Sequence, residues 1–199
     1  MKIISGALKG RTIVPTQYNN YQPTTGRMKE AIFSILSSGQ FINTLTNKPI
    51  LKEAITIDLF GGSGALTFEA ISRGASKGII IENNFHNSRT LESNAKRLGI
   101  QTQIQVIKCN ATNLPSPPIS TTQKCSIAFI DPPYNKNLIL ESVLALSIKD
   151  WLAPSALLVI ESHEKEQYNL GSNYTLIFSR QYRKAILNIY RYSMLEAKK

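Results

Sequence analysis

Cysteine is scarce in this chain: Cys109 and Cys125 are the two in 199 residues, with no C-x-x-C spacing and no histidine at a metal-ligand interval. That excludes a disulfide framework and a zinc site. Each lies in an apolar stretch, so both thiols are expected to be buried and free, in a reducing cytoplasmic setting. The histidines, His86 and His163, stand far apart, so no metal is expected and both are placed in loops or at the surface. Long hydrophobic runs are missing too. No apolar stretch approaches the ~20 residues of a membrane span, so no membrane association is expected. The first six residues carry no secretory core. No serine sits in a G-x-S-x-G elbow; Ser63 lies in a G-S-G loop, where its backbone matters more than its hydroxyl. Acidic residues are few, 13 against 23 lysines and arginines, for a net charge of +10.

That charge is concentrated at the two ends. Residues 1–30 carry +4 and residues 163–199 carry +4, while the long middle carries +2. A basic surface is the electrostatic footprint of a nucleic-acid partner. The hydrophobic share of 42% supports one α/β domain with a small appendage. Nothing in the pattern suggests a dimer seam, and a monomer is expected.

Residues 2–5 and 11–14 flank a turn with Gly6 and Gly10 and predict a short hairpin. Past a polar loop bounded by Pro15 and Pro23, Thr24 or Thr25 offers an N-cap. Met28, Ala31, Ile32, Ile35 and Leu36 then follow at helical spacing up to Gly39. Residues 1–40 are therefore expected to form a basic hairpin and helix appendage, and residues 41–199 the catalytic domain. From residue 54, apolar strands at 55–59, 79–81, 104–107, 126–130 and 157–160 alternate with helices near 65–73, 85–98 and 137–150. Residues 174–179 and 185–192 close the chain as a hairpin. The expected fold is α/β, a Rossmann-like doubly wound and mostly parallel sheet with a C-terminal antiparallel hairpin.

Two loops carry chemistry. Asp131-Pro132-Pro133-Tyr134 follows directly on an apolar strand. The Asp131 carboxylate and the Pro132 carbonyl accept the N–H bonds of a planar amine. Prolines 132 and 133 stiffen the backbone and donate no competing N–H, and the Tyr134 ring stacks on the attached heterocycle. The other loop, residues 58–64, also follows a β-branched strand. Gly61, Gly62 and Gly64 let its backbone approach a ligand, and the next helix presents free N–H groups. A dinucleotide fingerprint would need glycine at 67, where Thr67 stands. Asp58 suits a cationic ligand better than a phosphate, and the mixed charges of S-adenosyl-L-methionine fit. Glu82 at the next strand end suits ribose hydroxyls, and Asn110 the adenine edge; Phe60, Asn83 and Ala111 lie beside these positions. The two loops together suggest an enzyme that methylates a base amine. Trp151 and the C-terminal tyrosines suit packing. Tyr182, Tyr190 and Tyr192, set among Arg180, Arg183, Lys184 and Arg191, leave RNA contact open as the lesser reading.

These residues resemble the RsmD-type ribosomal RNA guanine methyltransferases along nearly the whole chain. The resemblance is carried by Ile4-Ser5-Gly6 with Lys9-Gly10-Arg11, Pro23-Thr24-Thr25-Gly26-Arg27, the loop 58–64, Glu82, Asn110-Ala111 and Asp131-Pro132-Pro133-Tyr134. The N-terminal segment normally reads R-P-T-x-D-R; here Gln22 replaces the arginine and Gly26 the aspartate. The resemblance implies methyl transfer from S-adenosyl-L-methionine to the exocyclic 2-amino group of a guanine in small-subunit (16S) ribosomal RNA. The implied partner is the small ribosomal subunit or its assembly intermediate. Lys2, Lys9, Arg11, Arg27 and Lys29 are expected to contact phosphates.

Rivals stay open. A DNA or other RNA base amino-methyltransferase uses the same loops but usually needs a recognition domain, for which 199 residues leave little room. A protein-glutamine methyltransferase shares the Pro-Pro-aromatic loop, but the basic ends disfavour it. A non-catalytic ribosome-assembly protein would not need intact loops, and an NAD oxidoreductase lacks the third glycine.

Overall fold

A computed structural model describes residues 1–16, 26–43, 47–117, 124–134 and 136–193. The expected N-cap at Thr24 or Thr25 lies outside the described residues, as do Gln22 and Pro23. In chain order, α1 (Gly26–Leu36) is followed by a two-stranded ribbon, β1 (Ile42–Asn43) and β2 (Lys48–Pro49). The alternating region then gives β3 (Ile55–Asp58), α2 (Ala65–Ser72), β4 (Lys77–Ile81), α3 (Phe85–Leu98), β5 (Ile104–Ile107), β6 (Cys125–Ile130), α4 (Leu138–Ile148) and β7 (Leu152–His163). β8 (Tyr174–Tyr182) and β9 (Ala185–Tyr192) complete it.

Local chemistry explains the sharper boundaries. Asn84 caps α3, accepting from the backbone of His86 at 2.9 Å and Asn87 at 3.1 Å. Gly99 ends the same helix at φ 76°, after Lys96 and Arg97 have set positive charge against its C-terminal carbonyls.

Seven strands pair in the order β5-β4-β3-β6-β7-β9-β8. The pairs from β5 through β7 are parallel, and β9 joins β7 and β8 antiparallel. This is a Rossmann-like sheet, and its strand order reverses between β3 and β6. Both faces are covered, so successive strand residues serve opposite cores. Ile80, Phe129 and Val159 face the layer of α1, α2 and α3 with Phe33, Phe68 and Leu91. Ile79, Ala128, Ile130, Leu158 and Ile160 face α4 through Val143 and Leu146, with Trp151 just past the helix in the same cluster. Trp151 is buried and donates from its indole to the Pro115 carbonyl at 2.9 Å.

The N-terminal hairpin carries one antiparallel bridge, Lys2 to Thr12, and lies along α2 and α3. Glu69 on α2 accepts the backbone N–H of Ile4 at 2.8 Å and of Ser5 at 3.0 Å. Asn94 on α3 accepts from Val14 N and donates to Val14 O. The turn approaches α2 so closely that a Cβ on Gly6, at φ +84°, would fall 1.8 Å from the Ser72 carbonyl oxygen. Ile3 and Ile13 join the same core as Phe33 and Phe129, so hairpin and sheet share apolar packing.

Three sequence expectations change. The ribbon β1–β2 was not expected, being too short and polar to show a period. β7 runs well past 157–160 at both ends: Leu152 pairs with Cys125, and residues 161–163 are drawn into the sheet by β9. Lys29 is not available to a phosphate. It is buried, with Nζ 2.8 Å from the Lys2 carbonyl and 3.5 Å from Glu69 Oε2. Burial lowers its pKa, and Glu69 opposes that shift.

Candidate active site

Where strand order reverses in an open parallel sheet, the loops leaving the two central strands diverge and leave a crevice. Here those loops are the ones that follow Asp58 and Ile130. A cavity of about 680 Å³ opens there, within the range of small-molecule sites. On its wall stand Asp58, Phe60, Gly61 and Gly62 from the first loop; Glu82 and Asn83 after β4; Asn110 and Ala111 after β5; and Asp131, Pro132, Pro133 and Tyr134 after β6. Gly64 is off the wall. It starts α2 at φ 76°, where a Cβ would lie 2.5 Å from Phe68.

Hydrogen bonds hold the first loop. Gly61 N donates to Ile81 O at 2.9 Å, and Gly62 N to Glu82 Oε2 at 3.2 Å. The other Glu82 oxygen accepts from Asn84 N at 2.8 Å. A carboxylate has about four acceptor positions, so hydroxyls of a ligand can still bind it. Asp58 accepts from Phe60 N at 3.4 Å and from the Thr67 hydroxyl at 3.3 Å. Thr67, the residue that breaks the dinucleotide fingerprint, therefore steadies the acid beside the cavity. Asn110 is exposed and closes a turn by accepting from Thr112 N at 3.0 Å.

The loop from Asp131 to Tyr134, the acceptor loop, is tied to the neighbouring strand. Tyr134 donates its hydroxyl to Glu161 Oε1 at 2.8 Å, and its ring meets His163 edge-on with centroids 5.5 Å apart. Burial and then Glu161 push the Tyr134 phenol upward, keeping it a donor. Burial and then the charge of Asp131 raise Glu161 to about 7. The same two causes, in the same order, raise Asp58 to about 7. Asp58, Asp131 and Glu161 thus crowd negative charge at one site, and a cationic ligand relieves that crowding. S-adenosyl-L-methionine carries an ammonium and a sulfonium, and the acids, the glycine backbone and Glu82 form a donor set that fits it.

Sequence reasoning passed over Glu161, His163 and Thr67. Glu161 had a readable signal, an acid ending an apolar strand, the same signal that singled out Glu82. His163 is half-buried against the acceptor loop rather than loose at the surface, and Cys109 is half-buried on the cavity wall rather than in the core. Met1, Pro15 and Thr16 also reach the wall, so the open end of the hairpin borders the cavity. Lys2, Lys9, Arg11 and Arg27 are exposed. Tyr190 pairs with Tyr168 and Tyr192 with Tyr174, while Tyr182 lies under Arg180. Among the described residues no group of three or more His, Cys, Asp or Glu is arranged to hold a metal ion. No helix among them is long and apolar enough to cross a membrane.

The profile of the family described as Conserved hypothetical protein 95 matches residues 1–191. The chain is 34% identical over 234 aligned positions to the uncharacterized methylase RP545 of Rickettsia prowazekii (strain Madrid E), covering 97% of this chain and 98% of that one. It is 32% identical over 186 positions to ribosomal RNA small subunit methyltransferase D of Buchnera aphidicola subsp. Acyrthosiphon pisum (strain APS), covering 94% of this chain and 87% of that one. The solved structure of yhhF from Escherichia coli superposes with a TM-score of 0.77 at 28% identity, over 97% of this chain and 98% of that one. With hairpin, sheet and both loops inside these matches, the chain belongs to the Conserved hypothetical protein 95 family, the RsmD family of S-adenosyl-L-methionine-dependent methyltransferases.

Proposed function

We propose that this protein transfers a methyl group from S-adenosyl-L-methionine to the exocyclic 2-amino group of a guanine in small-subunit (16S) ribosomal RNA. The observation that carries this is the single cavity shared by the Asp58 loop and the Asp131 loop. Asp58, Phe60, Gly61 and Gly62 hold the amino-acid end of the cofactor, with Gly64 setting the helix start. Glu82 and Asn83 take the ribose, and Asn110 and Ala111 the adenine. The bound cofactor supplies a sulfonium methyl, an activated electrophile.

The rest is the work of this chain's residues. The lone pair of a guanine amine is delocalised into its ring. Accepting its two N–H bonds on the Asp131 carboxylate and the Pro132 carbonyl favours a pyramidal nitrogen with a directed lone pair. Pro133 holds that loop stiff, and Tyr134, tethered through its hydroxyl, stacks on the purine at about 1–3 kcal/mol. The nitrogen loses one proton after transfer, and Asp131 is placed to accept it. Alignment of the two reactants supplies most of the acceleration. The base leaves its stack to enter, and the exposed Lys2, Lys9, Arg11 and Arg27 hold phosphates elsewhere on the RNA. The protein acts in the cytoplasm as a monomer, on the small subunit or its assembly intermediate.

The reading is tested by offering methyl-labelled cofactor with small subunits, large subunits, duplex DNA or total protein as separate acceptors. Label in the RNA of small subunits is expected. Label confined to DNA or protein overturns the assignment.

A further inference from the structure

The open end of the hairpin, with Met1 next to Lys2, borders the cavity, but the turn that carries Lys9 and Arg11 lies far from it. The hairpin turn is bonded to Ser72, the last residue of α2, through Ala7 N at 2.8 Å and Leu8 N at 2.9 Å. Arg11 donates to the carbonyl of Arg97, near the end of α3. α3 begins at the cavity rim, where Asn83 stands, so Arg97 lies ~18 Å along the helix from it at 1.5 Å per residue. Lys9 and Arg11 therefore cannot hold the phosphates beside a base seated at Tyr134.

Another basic element does stand there. His163, edge-on to Tyr134, pairs with Ala185 at the start of β9. The two-residue turn between β8 and β9, Arg183 and Lys184, thus projects beyond the acceptor loop on the cavity side of the sheet. It is firmly held: Glu164 N donates to Lys184 O at 2.8 Å, and the Gln181 amide donates to Glu164 Oε2 and to Arg183 O, both at 2.8 Å. Arg180, Arg183, Lys184 and Lys165 are exposed, and none joins an ion pair among the described residues. Arg180 is spread over the Tyr182 ring at 5.4 Å, which leaves its in-plane N–H groups for an acceptor.

The backbone at the turn is strained. Arg183 adopts φ 57°, a left-handed conformation that such a hairpin turn ordinarily gives to glycine or asparagine. Asn47, Glu53, Asn137, Asp150 and Ser155 share a positive φ, so the strain at Arg183 supports a functional reading only together with its position and charge.

We propose that the β8–β9 turn, with Arg180, Arg183 and Lys184 beside Lys165, is the clamp for the RNA phosphates that flank the methylated nucleotide. This rests on the ribosomal RNA reading above. The clamp and the hairpin turn with Lys9 and Arg11 then hold the RNA at opposite ends of the sheet strands, and the clamp sets the approach of the base to Tyr134 and Asp131.

The test is the double variant R183G/K184S, in which glycine also relieves the strained φ. Its melting temperature should equal or exceed that of the wild type, and its cofactor affinity should be unchanged. KM for small subunits should rise on the order of tenfold with kcat within about twofold, and the slope of log affinity against log salt should flatten by about two. A folded variant with wild-type KM and wild-type slope overturns the clamp. Wild-type turnover tests the parent reading separately. If the wild type binds subunits without methylating them, that reading fails, and the salt slopes of wild type and variant still decide the clamp: equal slopes overturn it.

Discussion

Tyr134 and Glu161 are joined by a hydrogen bond of 2.8 Å from phenol to carboxylate, across the gap between the acceptor loop and β7. The second Glu161 oxygen is buried with no hydrogen-bond partner among the described residues, so among them the bond from Tyr134 is what compensates this acid's burial. The aromatic ring proposed to stack on the base is therefore fixed in place by a residue outside the Asp131–Tyr134 loop.

That relationship predicts a graded series. Glu161→Ala frees the Tyr134 ring and should raise KM for RNA on the order of tenfold, with cofactor affinity intact. Glu161→Gln keeps an oxygen that accepts from the phenol and should stay near wild type in KM. Tyr134→Ala should cost about 1–3 kcal/mol in kcat/KM through lost stacking. Steady-state kinetics on the three variants checks the order, and a Glu161→Ala enzyme with wild-type KM would break the link.

Cofactor binding should depend on pH through Asp58. Its carboxyl is raised to about 7 by burial and by Asp131, so below that pH it is neutral and attracts no ammonium. Affinity for S-adenosyl-L-methionine should therefore fall as pH drops below about 7, by at most about tenfold per pH unit for one group. Asp58→Asn should flatten the profile in calorimetric titrations. Stability of the free protein runs the other way. The native state binds the extra proton between the unfolded value near 4 and the folded value near 7, so this group's contribution declines as pH rises across that window. Above pH 7, Asp58→Asn should melt higher than the wild type without cofactor.

Glu69 holds the hairpin to α2 and neutralises Lys29 and Arg73, at 3.5 Å and 2.8 Å. Removing one member of a buried ion pair leaves an uncompensated charge and typically costs about 3–5 kcal/mol. Glu69→Ala should lose stability of that order in denaturant titrations, and Lys29→Met combined with Glu69→Leu should recover part of it. A loss below about 1 kcal/mol would mean that the bonds to Ser72 and Asn94 and the apolar packing of Ile3 and Ile13 dock the hairpin without Glu69.

Asp131→Ala should reduce single-turnover methyl transfer by about 10²–10⁴-fold, the usual weight of a positioned acid or base. Cofactor affinity should stay within about twofold. Parallel losses in both would assign Asp131 to the cofactor instead.

Much of this was legible in the sequence because it is locally encoded. The run Ile79-Ile80-Ile81 announces a strand buried on both faces, Gly99 ends α3 where it was expected, and the two loops are read from consecutive residues. What was hidden depends on partners distant in sequence. Glu161, Ser162 and His163 extend β7 beyond the end of β6 because β9 pairs with them, and nothing local to residue 161 reveals that Tyr134 lies opposite. Lys29 reads as a surface cation until α1 packs it under the hairpin against Glu69. Thr67 reads as a broken fingerprint until its hydroxyl is found on Asp58.

The central claim is that this cavity delivers a methyl group to one exocyclic amine. Mass-spectrometric nucleoside analysis of small-subunit RNA, digested after a single turnover with labelled cofactor, tests it most directly. All label should elute as 2-methylguanosine and disappear in Asp131→Ala; label in a methylated adenosine or cytidine, or at a guanine ring nitrogen, would contradict the account.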